Sequence, residues 1–297
     1  MQEFSPPYGE IELITKNIRR ITAPNPAPYT FKGTGTYIIG HGYVAVIDPG
    51  PDITSHIDAI LTSLGDEKIS HILITHNHKD HSPAAKPLAE KCGAKIYGFD
   101  VSMQQYTDID AEEGIDKNYA PDVLLKNDDI IKGQDWTIEA IHTPGHLSNH
   151  ICFAYREEKS LFTGDHVMGW STTIISPPDG NMADYLESLE KLRLRDDKIY
   201  YPTHGLPINN PKQFVTQLIG HRLRRDKEII RAIAGGASTI EEIVGIIYAT
   251  IDKKLYLAAS RTTFAHLIRL VDLGHVKCGG KPSESSHYKL PIKNPAI

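Results

Sequence analysis

Three histidines and one aspartate lie within six consecutive positions of this chain, in residues 76–81. The segment 75–81 reads Thr-His-Asn-His-Lys-Asp-His; it follows an apolar run over 71–74 and precedes a helix-like stretch that opens at Ser82. Ligands of α/β proteins bind where strands end, at the carboxyl edge of the sheet. A solvated loop with chance histidines is the alternative, but such clustering is hard to explain by packing. The segment therefore predicts a metal site.

The types and spacing of these side chains indicate which metals would bind and how many. Neutral imidazole suits zinc, and a carboxylate widens the choice to iron or manganese. In an extended turn, His76 and His78 point at one position, whereas Asp80 and His81 are rotated toward a second position. This arrangement predicts two metal ions, which require further ligands and a bridging group from elsewhere in the chain.

Three polar residues recur in one kind of position and supply those ligands. His146, Asp165 and His204 each follow a predicted short strand, and each stands beside a glycine. Glycine allows the backbone to turn sharply and to approach other groups closely. A single histidine at a strand end is more often structural, but together with the histidine cluster these residues complete a two-metal ligand set.

Apolar periodicity predicts the elements that position these residues. A hairpin is expected over 35–48, with its turn at 40–42. Helical spacing of apolar residues predicts helices over 54–64, 83–92 and 183–194. The further expected strands are 68–74, 94–98, 135–142, 151–155, 160–163 and 198–202.

The pattern changes after Pro211. A long helix is predicted over 212–234, a short helix opens at a capping-box sequence over 238–242, and a third helix spans 256–273. Segments 275–277 and 287–290 are then expected to pair as a hairpin. Three helices followed by a hairpin are typical of a winged helix.

Composition is that of an ordinary globular protein, since the 297 residues are 40% hydrophobic and 23% charged. No apolar run approaches the roughly 18 residues that a membrane helix needs, and no membrane partner is expected. The first residues carry no basic start and no apolar stretch, so no signal peptide is predicted. Cys92, Cys152 and Cys278 form no C-x-x-C motif, which favours a reducing, cytoplasmic location.

Charge is unevenly distributed along the chain. Residues 219–297 hold 13 Lys and Arg against 7 Asp and Glu, whereas residues 1–218 hold 19 against 30. A basic tail is consistent with nucleic-acid binding, although a Lys/Arg-rich solvated helix is the simpler interpretation. The candidate nucleic-acid contacts are Arg222, Arg224, Arg225 and Lys227, with Tyr248, Tyr256 and Phe264 as stacking partners or, for the last two, core residues.

The ordered motifs Thr-His-x-His-x-Asp-His, Pro-Gly-His, Gly-Asp and a later His resemble the metallo-β-lactamase superfamily over residues 10–210. The resemblance implies an α+β fold, in which an αββα sandwich over residues 1–210 precedes a small helical winged-helix domain over 211–297. By matching position, it assigns His76, His78 and His146 to the first metal and Asp80, His81 and His204 to the second. Asp165 would bind both metals, and Asp48 would support the loop that carries the ligands.

The resemblance also implies a mechanism. Two divalent metal ions, zinc or alternatively iron or manganese, would hold a bridging hydroxide as the nucleophile, because coordination lowers the pKa of water from ~15.7 toward ~7. Asp80 or Asp165 would carry the proton. His150, His166 and Tyr185 are the candidates for a separate general acid by sequence proximity, with packing as the favoured role for each.

Segment 221–230 and the winged-helix pattern are similar to the branch that includes β-lactamase-like protein 2, known members of which include a single-strand-selective endoribonuclease. Antibiotic-hydrolysing relatives are secreted and usually lack the bridging aspartate. Only 38 residues separate Asp165 from His204, too few for the inserted domain of the β-CASP branch.

Three functions remain open from the sequence. The first is a hydrolase of single-stranded RNA or another phosphodiester, in which the basic tail binds the backbone of the substrate. The second is a hydrolase of a small ester, thioester or lactone, with the loop 168–178 as an apolar rim and the tail as a lid or a homodimer contact. The third is a nucleic-acid-binding regulator with a structural metal, against which a seven-ligand set argues, because structural zinc sites are four-coordinate.

Overall fold

Two β-sheets lie face to face in the computed structural model, which describes residues 5–102 and 114–291. In the first sheet the strands follow one another in chain order. They are β1 (Ile11–Leu13), β2 (Ile18–Thr22), β3 (Gly35–Ile39), β4 (Tyr43–Ile47), β5 (Lys68–Leu73), β6 (Lys95–Gly98) and β7 (Val123–Leu124). β1 to β4 are antiparallel, and β4 to β7 are parallel.

The second sheet has the spatial order β12-β11-β10-β9-β8. Its strands are β8 (Ile130–Lys132), β9 (Thr137–His142), β10 (Ile151–Tyr155), β11 (Ser160–Gly164) and β12 (Ile199–Pro202). β8 to β11 are antiparallel, and β12 joins β11 in parallel. β9, β11 and β12 therefore run in the same direction and end at the same edge.

Six α-helices accompany the sheets in the described part of the chain. They are α1 (Thr54–Leu64), α2 (Ala85–Cys92), α3 (Met182–Arg193), α4 (Pro211–Ala234), α5 (Ile240–Ile247) and α6 (Tyr256–Asp272), with a short 3-10 turn at Lys253–Leu255 before α6. None of these helices combines the length and the apolar character that crossing a bilayer requires.

Alternation along the strands produces the layers. In β4, Ala45 and Ile47 face the core between the sheets, whereas Val44 and Val46 face the opposite side. Side chains alternate between faces because a strand has a period of two residues. The outward residues pack against α1 and α2, in a cluster that includes Ile57. The second sheet is covered in the same way by α3 and the first part of α4. The predicted αββα sandwich is confirmed.

The C-terminal region forms a separate cluster of buried residues from the second part of α4, α5 and α6. Thr239 caps α5, and its side chain and that of Glu242 form the predicted capping box. Lys277 and Lys289 pair as an antiparallel bridge, which closes the predicted hairpin. The winged-helix prediction is confirmed. α4 contributes to both hydrophobic clusters, because its first part packs against α3 and its second part lies in the winged helix.

Candidate metal centre

Strand ends at one edge of the sandwich bring the predicted ligands together. The segment 75–81 follows β5, and His146, Asp165 and His204 follow β9, β11 and β12. Each predicted ligand is less than a tenth exposed. The ligand atoms form three overlapping groups, and within each group all of them lie within 4.8 Å of one another. The three groups are His76, His78 and His146; His76, His81 and Asp165; and Asp80, His81 and His204.

The first group is a convergence of three ring nitrogens. Nε2 of His76 lies 2.9 Å from Nδ1 of His78, and Nε2 of His146 lies 3.1 Å from the same atom. Two nitrogens on one tetrahedral zinc ion, each about 2.0–2.1 Å from the metal, would be about 3.3 Å apart. The observed spacing is close to that value, so one ion fits between the three rings.

Hydrogen bonds on the far side of the rings decide where the lone pairs point. The hydroxyl of Thr75 donates to Asp48, so it accepts from Nδ1 of His76 at 3.0 Å. Nδ1 of His146 donates to the carbonyl of Ile174 at 2.8 Å. Both Nε2 atoms therefore direct lone pairs toward the same point, beside Nδ1 of His78. Converging lone pairs repel unless a cation lies between them, which is the arrangement that a metal site requires.

The second metal-binding group consists of Asp80, His81 and His204, and it combines imidazoles with a carboxylate. Oδ2 of Asp80 lies 3.1 Å from Nε2 of His204 and 3.3 Å from Nε2 of His81. The Asp165 carboxylate places Oδ2 at 3.5 Å from His81 and 4.0 Å from His146, and Oδ1 at 3.5 Å from His204. Asp165 thus lies between the two groups. Oδ1 of Asp80 and Oδ1 of Asp165 have no hydrogen-bond partner within the described ranges, so each can bind a metal or accept a proton.

The two groups differ in their electrostatics. Burial and the nearby His146 lower the pKa of His78 to about 3. Burial also opposes charge on His81, but the carboxylates of Asp80 and Asp165 raise the pKa of His81 well above its usual value. Burial would raise the pKa of Asp165, yet His204 and His81 lower it to about 2. The first group therefore holds neutral imidazole. In the second group the ionised carboxylates hold a proton on His81, which a bound metal would displace, because a histidine ligand must be deprotonated.

Asp48 connects the ligand segment to the second sheet. It is fully buried and accepts hydrogen bonds from the backbone N–H of Thr75 at 2.8 Å, the Thr75 hydroxyl at 2.7 Å and Nδ1 of His81 at 2.8 Å. A fourth bond comes from the hydroxyl of Thr203 at 3.2 Å. Its φ of +48° lies in the left-handed region, which Asp tolerates better than most residues. The carboxylate therefore orients His81 with its Nε2 toward Asp80 and Asp165.

The glycines before His146 and Asp165 are required by close approach. A Cβ at Gly145 would lie 2.3 Å from the backbone of Tyr185, and the residue has a φ of +133°. A Cβ at Gly164 would lie 2.6 Å from a ring nitrogen of His150, at a φ of +49°. Both positions bring their ligand to the metal edge by packing backbone directly against a neighbour.

The three general-acid candidates lie behind the ligands. Nε2 of His150 accepts a hydrogen bond from the backbone N–H of Asp165 at 3.2 Å, so His150 positions that ligand. The hydroxyl of Tyr185 donates to the carbonyl of His166 at 3.1 Å, and the two rings are 4.7 Å apart. All three residues are buried. These contacts match the packing role that the sequence favoured for them. The support given by Thr203 and Ile174 had no signal in the sequence, whereas Thr75 stood in the recognised motif without an assigned role.

The basic residues of α4 divide into two sets. Arg222 is only 2% exposed; its guanidinium donates to the carbonyl of Thr173 and lies 5.2 Å from the ring centre of Tyr185. The prediction that Arg222 contacts nucleic acid on the surface is therefore wrong, because this face of α4 packs against the sandwich. Arg224 and Lys227 are exposed, as that prediction requires.

The aromatic stacking candidates are mostly part of the winged-helix core. Phe264 is buried there and Tyr256 packs against it, as the alternative interpretation of these two residues expected. Tyr248 is half-buried and lies beneath the half-buried guanidinium of Arg225, 4.2 Å from it.

Two sequence families match this chain. The metallo-beta-lactamase superfamily matches residues 30–204, and the beta-lactamase associated winged helix domain matches residues 239–283. Together they cover the sandwich that carries the ligands and the winged helix that follows it.

Several known proteins are similar over most of this chain. An atrochrysone carboxyl ACP thioesterase of Cryptosporiopsis is 30% identical over 237 residues, covering 78% of this chain and 67% of the relative. A beta-lactamase-like protein 2 homolog of Caenorhabditis elegans is 30% identical over 254 residues, covering 84% and 82%. The crystal structure of a beta-lactamase domain protein from Burkholderia ambifaria has the same fold, with a TM-score of 0.81 at 20% identity, covering 98% and 96%.

Proposed function

This chain belongs to the metallo-β-lactamase superfamily of hydrolases, and from that membership we propose that it hydrolyses thioesters with two divalent metal ions. The overlapping ligand groups carry this proposal. His76 and His81 each belong to two of the three groups, so the ligand atoms describe two neighbouring positions rather than one. Zinc is the proposed metal because imidazoles dominate both groups, and iron or manganese are alternatives because the carboxylates of Asp80 and Asp165 lie among the ligand atoms.

Bound divalent metals supply a hydrolase with a water of lowered pKa and with polarisation of the scissile carbonyl. The residues around the site orient the side chains proposed to bind the metals. Asp48 fixes the ring of His81, and His150 holds the backbone of Asp165. Oδ1 of Asp80 is buried without a hydrogen-bond partner within the described ranges. We infer that this oxygen accepts a proton from the water as its oxygen bonds to the carbonyl carbon, and passes it to the thiolate when the C–S bond breaks, so that an acid and a thiol are released.

The substrate class is supported by the relatives and by the surroundings of the site. The Cryptosporiopsis relative is named an atrochrysone carboxyl ACP thioesterase. The loop 168–174, which follows Asp165, lines a small cavity with apolar side chains. Exposed Arg224 and Lys227 keep single-stranded RNA as a second substrate class, although the burial of Arg222 removes one of the four cations proposed to bind it.

A paired assay on metal-loaded protein tests the proposal. Metal content is measured first, and thioester hydrolysis is then followed by thiol release beside cleavage of a fluorescent single-stranded RNA. Two metals per chain and thioester turnover that a chelator abolishes and added metal restores are the expected results. Full activity with a single bound metal would contradict the two-metal site. Cleavage of RNA with no thioester turnover would contradict the proposal that thioesters are the substrates, but not the proposed metal site.

A further inference from the structure

A cavity of about 270 Å³ lies between the sandwich and the winged helix. The loop after Asp165 forms one wall, and α4 and α6 form the other. We propose that this cavity binds the carboxylate group and apolar body of a small organic monoacid. The proposal concerns binding alone, and it stands or falls separately from hydrolysis at the metal centre.

Three basic side chains of α4 line the cavity: His221, Arg222 and Arg225. Arg222 is almost fully buried, and no carboxylate of the described residues lies within 4 Å of its guanidinium. Among the residues that the structure describes, its Nε has no hydrogen-bond partner, and neither do Nδ1 of His221 and Nε of Arg225. A buried charge without a counter-ion is costly. An anion in the cavity would offset that cost, and guanidinium N–H groups match carboxylate oxygens in geometry.

The local charge indicates a monoanion. Arg225 already pairs with Glu228, at 2.6 Å. Asp226 pairs with Arg269 and with Nδ1 of His266. These pairs leave the single positive charge of Arg222 uncompensated among the described neighbours. One carboxylate balances that charge, whereas a phosphate monoester, with a charge of about −1.5 to −2 at pH 7, would exceed it.

Apart from hydroxyl groups such as those of Ser171 and Thr262, the remaining lining of the cavity is largely apolar. Met168 and Ile174 come from the loop, and Ile251 and Leu255 come from the winged helix. Trp170 also lines the cavity, and its ring stacks on Phe31 with the ring centres 4.8 Å apart and the planes within 10°. A ligand for this site therefore combines an acidic group with an apolar chain or ring. Ligand pockets of about 300–1,000 Å³ hold drug-sized molecules, so this cavity suits a smaller acid.

The cavity wall is also part of the support of the metal centre. Arg222 donates to the carbonyl of Thr173, whose hydroxyl donates to the carbonyl of Asp165 at 2.7 Å. The next residue, Ile174, accepts the hydrogen bond from Nδ1 of His146 at 2.8 Å. A molecule that binds Arg222 therefore contacts a segment that orients two of the proposed ligands, which places this site one backbone segment away from the metal centre.

Trp170 gives a direct readout of binding, because Trp136 is the second tryptophan of the chain and lies buried elsewhere. Metal-loaded protein is titrated with octanoate, octanamide and octyl phosphate, none of which absorbs with tryptophan. Octanoate should produce a saturable change in fluorescence that disappears in Trp170→Phe. Octanamide should bind at least about tenfold more weakly, because it lacks the charge that a guanidinium recognises.

Variants on α4 separate this site from other places where a carboxylate could bind. Arg225→Gln should weaken octanoate binding about tenfold. Arg231→Gln, an exposed arginine of the same helix outside the cavity, should leave it unchanged. Equal affinity for octanamide, tighter binding of octyl phosphate, or octanoate affinity unaffected by both Arg225→Gln and Arg222→Lys would each overturn the proposal. The last result would place the carboxylate at the metal centre instead.

Thermal unfolding of Arg225→Gln is measured alongside. Arg222→Lys is the second variant, and it should weaken octanoate binding because lysine lacks the guanidinium fork.

Discussion

Substitution of Asp48 by Asn tests how much of the metal centre depends on its support. Asn has nearly the same shape as Asp, but one of its terminal atoms donates instead of accepting. In its less costly orientation, the amide nitrogen would face the backbone N–H of Thr75, while the oxygen keeps the bonds from the Thr75 hydroxyl, His81 and Thr203. A buried donor without a partner costs about 1–3 kcal/mol.

The remaining bonds also change, because a neutral acceptor replaces a charged one. Hydrogen bonds to charged groups contribute about 1.5–3 kcal/mol, against about 0.5–1.5 kcal/mol for neutral pairs. For the bond from His81 alone, that difference adds about 1 kcal/mol to the unpaired donor. We therefore expect Asp48→Asn to lower the free energy of unfolding of the metal-free protein by about 2–4 kcal/mol.

The same substitution should weaken metal binding, because His81 loses the charged partner that fixes its orientation and raises its basicity. Loss of such a partner typically lowers metal affinity by about 10–100-fold. Affinity is measured by competition with a chelator, and stability by denaturant unfolding. Asp52→Asn, an exposed aspartate close in sequence, is the matched control and should change neither. Metal affinity within about twofold of the unsubstituted protein would refute the assigned role of Asp48.

Three further predictions follow from the described contacts. Asp165→Ala should abolish turnover and reduce bound metal below one ion per chain in elemental analysis; unchanged metal content would contradict its place between the two groups. Gly145→Ala, whose Cβ would meet the backbone of Tyr185 at 2.3 Å, should lower the free energy of unfolding by more than about 2 kcal/mol, and an unchanged denaturation midpoint would show that this loop can shift. Burial lowers the pKa of His56 from 6.5 to about 4, so the unfolded chain takes up a proton in this window that the folded chain does not. Stability from this residue should therefore fall by about 3 kcal/mol between pH 7 and pH 4, and His56→Gln, which can still donate to Thr36, should reduce that loss in denaturant unfolding measured across the same range.

Local features were predictable from the sequence because short-range physics determines them. The capping box at Thr239 requires only two residues three positions apart. Helix α1 follows from apolar spacing over residues 54–64, and its observed bounds are Thr54–Leu64. The metal ligands were recognisable for a related reason: residues at strand ends of an α/β sheet share one edge, so their position along the chain already indicates that they meet.

Short and distant interactions were decided only by the tertiary structure. β7 and β8 contain two and three residues, which is too few for any periodicity to show. The bond between Asp48 and Thr203 joins residues 155 positions apart, and nothing in either local segment specifies it.

The basic segment of α4 shows the same division between sequence and structure. Successive residues of a helix point about 100° apart, so Arg222, Arg224, Arg225 and Lys227 had to face different directions. Their sequence determined that a basic helix would form. Which of them became buried depended on where α4 packs against the sandwich, and only the folded chain places Arg222 in the cavity behind the metal centre.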